Sequence, residues 1–459
     1  MQVVQLLKSG EISPEDLLDA AFTRIEAVDE QINALPILCF ERAREQARNL
    51  KKPDSPEAGY LYGLPIVVKD YNDVGGVRTT YGSPIYRDHV PGVSDATVAR
   101  LEANGAIPIA KSNVPEWAGG HTFNPVFGTT LNPWNLNMSV GGSSGGSAAA
   151  LAAGMVWLAT GNDLGGSLRI PAAFNGIVGL RPGPGVVARG KRLQPFDSLW
   201  VEGPMGRSVA DVALMLDAQA GHDPEDPFSF PSPERSYSET LNSAGSPKRV
   251  AFSRDLGVVR VSNQIAGIAE TSVLRLRDAG IEVTEEIPDF NGVLEAFQTL
   301  RAILLGTMMG PLLKKHRSQI APEIVDNVER GFSITPELIF EAERIRWRLF
   351  HSMMDFFETH DYLICPAASI TPFPVEQRYV TEIEGLPCET YIDWFSITFA
   401  VTMTSCPVIS LPCGFTENGL PVGLQIVGRP RSEGTLLRDS ARLEELFGLK
   451  DRLPIDPVV

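Results

Sequence analysis

Between Gly141 and Ser147 the chain places four glycines and three serines in the run GGSSGGS, and an alanine-rich stretch follows at once. Three chemistries use such a run. A P-loop cradles phosphate with glycine amides, but needs a following lysine with Ser or Thr and a preceding strand. No lysine follows Ser147, and NPWNLNMSV ahead of the run does not read as a strand. A G-x-S-x-G nucleophile elbow is satisfied formally around Ser144, between Gly142 and Gly146. An elbow also needs a strand in front and a later histidine and acid. His222, His316, His351 and His360 lie downstream, none in a glycine-bounded loop at a strand end.

The third chemistry is a serine nucleophile served by a lysine. Ser167 stands behind a second glycine pair in GNDLGGSLRIPAAFNG, and Lys69 ends the apolar run LPIVVKD. Desolvation disfavours a charged amine, so a lysine at the end of a buried strand tends to lose its proton and can act as a base. Glycine permits the conformations in which the successive amides of Leu164, Gly165, Gly166 and Ser167 converge, which predicts an oxyanion hole at the nucleophile itself.

These groups need a scaffold. Ser13 is a helix cap, Pro14 fits the first turn, and Leu17, Leu18, Ala21, Phe22, Ile25 and Val28 recur at helical spacing. The β-branched run before Lys69 predicts a buried strand. DATVARLEANGAIPIAKS reads as helix, glycine turn and strand, and the alanines after Gly146 read as a buried helix. Residues 290–360 are mainly helical and amphipathic, and PVISLPCG and GLPVGLQIVG return to strands. With no repeat and no clear linker, one large α/β domain with a helical elaboration in its middle is expected.

Composition narrows the function. The 459 residues are 43% hydrophobic and 21% charged, with net charge −16, which argues against a nucleic-acid or anionic-membrane surface. Five cysteines without metal-ligand spacing predict reduced thiols. The chain opens without an apolar signal segment, and the longest apolar run, AILLGTMMGPLL, is shorter than a bilayer needs. A soluble, cytoplasmic protein, monomer or homodimer, is the expectation.

Taken in order, the strand-end lysine, GGSSGGS and DLGGSLRIP resemble the amidase signature family. GLPIVVKDYNDVGGVRTTYGS, AKSNVPEWAGG, FGTTLNPW, GPMGRSVADVALML and GLPVGLQIVGRP extend the likeness over nearly the whole chain. The resemblance implies one domain over 1–459 with a central mixed β-sheet flanked by helices, and neither cofactor nor metal. It implies Ser167 as nucleophile, Ser143 as a bridging serine on a cis peptide bond and Lys69 as base. Asp163 and Arg169 match charges that hold the loop, and the carbonyls of Ala118 and Gly119 match a contact to the substrate amide. Asn162 and Leu164 stand where many members carry Ser or Thr, and Gly183 where threonine is usual, so a mobile loop from Gly183 to Gly190 is expected. Leu164, that loop and a wall containing Met308 and Met309 predict hydrophobic aryl or alkyl amides as substrates, with some ester and carbamate turnover. The alternatives are a non-catalytic scaffold with a relic site and the glutamine-hydrolysing subunit of an amidotransferase.

Overall fold

The strand Pro65–Lys69 is buried along its whole length, as an uninterrupted β-branched run requires when both faces are covered. It runs parallel to both neighbours, Ile107–Ser112 and Leu158–Asp163. Lys69 therefore ends its strand beside the end of the strand that leads into the second glycine turn. The structure, a computed structural model, describes residues 2–458 apart from Glu57 and Ala118.

Beyond Leu158–Asp163 the sheet turns antiparallel through Val201–Gly206, Val178–Arg181, Val408–Phe415, Pro421–Val427 and Tyr362–Pro366, then parallel again through Arg249–Phe252 to Glu282–Thr284. With Ile37–Leu38 at the other edge it has 11 strands, the mixed sheet expected. Helices cover it. Pro14–Ile32 starts at a reciprocal cap: the Ser13 hydroxyl accepts from the Asp16 N–H, and the Ser13 N–H donates to the Asp16 carboxylate. The helix Gly145–Ala152 is buried at every residue. A Cβ on Gly146 would fall 2.5 Å from the backbone nitrogen of Asn113, so the close approach of this helix to the sheet needs glycine.

The elaboration consists of the helices Val293–His316, Pro322–Phe332 and Pro336–Phe356, packed on one another. The first is long and apolar enough by length and composition to cross a membrane, yet it carries the buried Arg301 and packs against the other two. One local expectation is corrected. Asn135–Ser139, which reads from sequence as no strand, pairs antiparallel with Leu131–Asn132. Its composition, NLNMS, is poor in β-branched residues; pairing in a short ribbon overrides that propensity.

Candidate active site

Lys69 reaches its place because the strand Pro65–Lys69 is locked to Leu158–Asp163, where the Lys69 N–H also donates to the Thr160 hydroxyl at 2.9 Å. The side chain is completely buried, and Nζ meets three oxygens: Ser143 Oγ at 2.7 Å, Ser144 Oγ at 2.8 Å and Asn162 Oδ1 at 2.7 Å. All three are neutral. Burial pushes the Lys69 pKa down to about 7, against the opposing pull of the Glu202 and Asp163 charges. Its neighbour Lys111 is equally buried but is held by a carboxylate, Asp70 Oδ1, at 2.8 Å. Asp70 is thus half of a buried ion pair.

The Gly142–Ser143 peptide bond is cis. Ser144 follows, and its N–H donates to the Ser167 carbonyl at 3.3 Å, which ties the first glycine–serine loop to the second. The second loop is shaped by Asp163. This carboxylate accepts from the Gly166 and Leu168 amides at 2.9 and 3.1 Å, and from Arg169 and Arg181. Burial alone would raise its pKa, but the two guanidinium groups hold it well below the usual carboxylate range. The anchored loop turns through Gly166 at φ +128, where a Cβ would lie 2.4 Å from Thr398 Oγ1. Only glycine fits there.

This corrects one detail of the expected oxyanion hole. The Gly166 N–H already donates to Asp163 Oδ1 at 2.9 Å. Among the described residues nothing accepts from the N–H of Leu164, Gly165 or Ser167, and those three amides remain available. Leu164, Gly165 and the half-buried Ser167 line one cavity. Gly119 faces an adjoining cleft instead, while Trp117 and Gly120 are the residues of that segment that line the cavity. Ala118 lies outside the described residues.

The rest of the wall is aromatic, with Trp200, Phe297, Trp394 and Phe395. Phe297, Arg301 and Leu305 present one face of the helix Val293–His316 at four-residue spacing. Met308 and Met309, expected in this wall, lie one turn further along the helix, where the cavity has ended, and pack with Leu305, Leu313 and Ile324 in an apolar cluster. The loop after Pro182, expected to be mobile, is tied down. Gly183 donates to Glu433 at 2.9 Å, Arg189 donates its backbone N–H to Asp226 at 2.8 Å, and the Arg189 side chain pairs with Asp197.

Sequence reasoning offers Ser144 only as the centre of a formal elbow and Asn162 only as a departure from a family pattern; both touch the lysine amine. It misses Glu202 altogether. The available signal is strand alternation: Thr160 and Asn162 share a face, and Glu202 stands opposite Asn162 in register. His121 packs between Phe123 and Phe373, and burial lowers its pKa to about 4. Among the described residues no histidine is hydrogen-bonded to Ser143, Ser144 or Ser167, as an elbow would require.

The family model described as Amidase matches residues 16–437. An acylamidase of Rhodococcus erythropolis is 32% identical over 98% of this chain and 96% of its own length. One subunit of the glutamyl-tRNA(Gln) amidotransferase of Halothermothrix orenii is 31% identical over 98% of this chain and 97% of its own. Among solved structures, a bacterial aryl acylamidase of the amidase signature family superposes with a TM-score of 0.89 at 27% identity, covering 98% of both chains.

Proposed function

The chain belongs to the amidase signature family, and from that premise we propose that it cleaves carboxylic amides through an acyl-enzyme on Ser167. The observation that carries this reading is the buried Lys69 amine, ringed by neutral oxygens and 2.7 Å from Ser143. Ser144 turns its own O–H toward the Asn162 carbonyl at 3.4 Å, so its oxygen accepts from Lys69; Asn162 Oδ1 can only accept. A neutral amine has two N–H donors for these two acceptors and one lone pair. The partner left for the lone pair is the Ser143 hydroxyl.

Lys69 then takes the Ser143 proton as Ser143 takes that of Ser167, and Ser167 attacks the carbonyl. The amides left free around Ser167 stabilise the oxyanion. The proton returns through Ser143 to the leaving nitrogen, because an amide anion is too poor a leaving group, and water hydrolyses the acyl-enzyme. Glu202, buried on Val201–Gly206 beyond the intervening strand Leu158–Asp163, adds a negative charge that favours the protonated amine. Removing that charge in Glu202→Gln lowers the Lys69 pKa further. The acid limb of kcat/KM is therefore expected to move to lower pH. A limb that stays put or moves up would remove Glu202 from this account.

The aromatic wall supports hydrophobic aryl or alkyl amides as substrates, with some ester and carbamate turnover because both present the same acyl carbonyl. It disfavours glutamine. Among the described residues no Asp or Glu lines the cavity, so the α-ammonium of glutamine would be buried without a partner, at a cost of several kcal/mol. An anilide, an aryl carbamate and glutamine assayed beside one another, on protein purified without a partner, test this. The expected order puts kcat/KM for the anilide highest and glutamine lowest. Glutamine above both would return the reading to the glutamine-hydrolysing subunit of an amidotransferase.

A further inference from the structure

One side chain in the wall does not fit a purely apolar pocket. Arg301 lines the same cavity as Ser167 and is buried, yet among the described residues no carboxylate lies within ion-pair distance of it. Its two side-chain hydrogen bonds go to neutral groups: Nη1 donates to Asn327 Oδ1, and Nη2 donates to the Tyr391 hydroxyl oxygen. Asn327 Nδ2 also donates to that Tyr391 oxygen, at 2.7 Å, and to the Glu323 carbonyl. The acceptors of this trio are thus used internally. Left over are three guanidinium N–H groups and the Tyr391 O–H, all donors, around one positive charge. Glu323, the acid on the adjoining helix whose carbonyl Asn327 engages, already has its carboxylate bound by Arg378 Nη2 at 2.9 and 3.0 Å.

Keeping a cation buried without a counter-ion is costly, and a substrate that brings an anion relieves that cost. Guanidinium is also the side chain whose planar donor fork matches a carboxylate. We propose that Arg301 is a specificity-determining residue, and that the preferred substrates are amides with an apolar or aromatic body and a carboxylate at one end. This rests on the amidase reading for its chemistry but not for its test. The absence of an acidic lining residue, among those described, is what separates such a monoanion from a zwitterion such as glutamine.

Binding is read on the Ser167→Ala protein, which removes turnover, by calorimetry with two matched pairs. Glutaranilate against pentananilide places the carboxylate on the acyl side; 4-acetamidobenzoate against 4-methylacetanilide places it on the leaving-group side. The expected result is that one carboxylated member binds at least about tenfold tighter than its neutral partner, the worth of one charge-assisted hydrogen bond. Adding Arg301→Gln should abolish that ratio while the neutral partners keep their affinity. Arg301→Lys retains the charge and part of the ratio, and serves if the glutamine variant does not fold. The inference is overturned if neither carboxylate is preferred, or if both members of a pair weaken equally in the Arg301 variants. If the preference is present but the wild-type protein cleaves none of the four compounds, Arg301 stands and the amidase reading falls.

Discussion

Ser167→Ala is expected to lower kcat on amides by on the order of 10⁴-fold or more, because loss of the nucleophile leaves only binding and oxyanion stabilisation. The fold should not suffer. Ser167 is half-buried at the cavity wall, its carbonyl rather than its side chain holds Ser144, and alanine keeps that carbonyl. The melting temperature should stay within about a few degrees, as for a substitution that removes no buried contact. A fluorophosphonate probe, followed by peptide mass spectrometry, should modify Ser167 in the wild-type protein. An adduct on Ser144 instead would revive the elbow, and full activity in Ser167→Ala would end the acyl-enzyme account.

Removal of the amine is the second large effect. Lys69→Ala should cost on the order of 10³-fold or more in kcat. Because Lys69 is fully buried, alanine also leaves a cavity, so Lys69→Met, which keeps the volume, separates chemistry from packing. Both variants should be inactive, and the methionine variant folded. In the wild-type protein, log kcat/KM should climb as pH rises through about 7 and level off above it, since burial holds the Lys69 pKa near that value and the neutral amine is the working form. His222→Ala and His360→Ala should keep turnover. Their rings lie against Ser229 and against Thr284 and Thr359, none of which belongs to the site. Inactivity of a folded histidine variant, with an active Lys69→Met, would reverse the assignment of the base.

Much of this is legible in the residues alone. Apolar runs bounded by turn residues mark the strand that ends at Lys69, the helix after Gly146 and the sheet at the end of the chain, because burial on both faces leaves an unbroken hydrophobic signature. The serine and lysine motifs are legible for a related reason. Their chemistry needs particular residue types, and the glycines around them are demanded by close backbone approaches, as at Gly146 and Gly166. The short ribbon strand Asn135–Ser139 is not legible, since its composition carries no strand preference and its pairing alone makes it one.

By itself, then, the sequence determined the mixed α/β domain, the three motif-bearing segments and the wall helix. Tertiary structure decided what those segments present to one another. Met308 and Met309 continue the stripe of Phe297, Arg301 and Leu305, but the cavity ends at Leu305, and one turn further on the helix packs against Ile324 and its neighbours instead. The amides around Ser167 all compete as candidates for the oxyanion; Asp163, anchored by two arginines, takes Gly166 and Leu168 and leaves Leu164, Gly165 and Ser167. The surroundings of Lys69 come from segments 74 to 93 residues away in the chain. A side chain's period along a strand says which face it shares, but which charge or hydroxyl lies opposite is set by register between strands. Register depends on the packing of the whole sheet, so Asn162, Ser144 and Glu202 could join the lysine only once that sheet was formed.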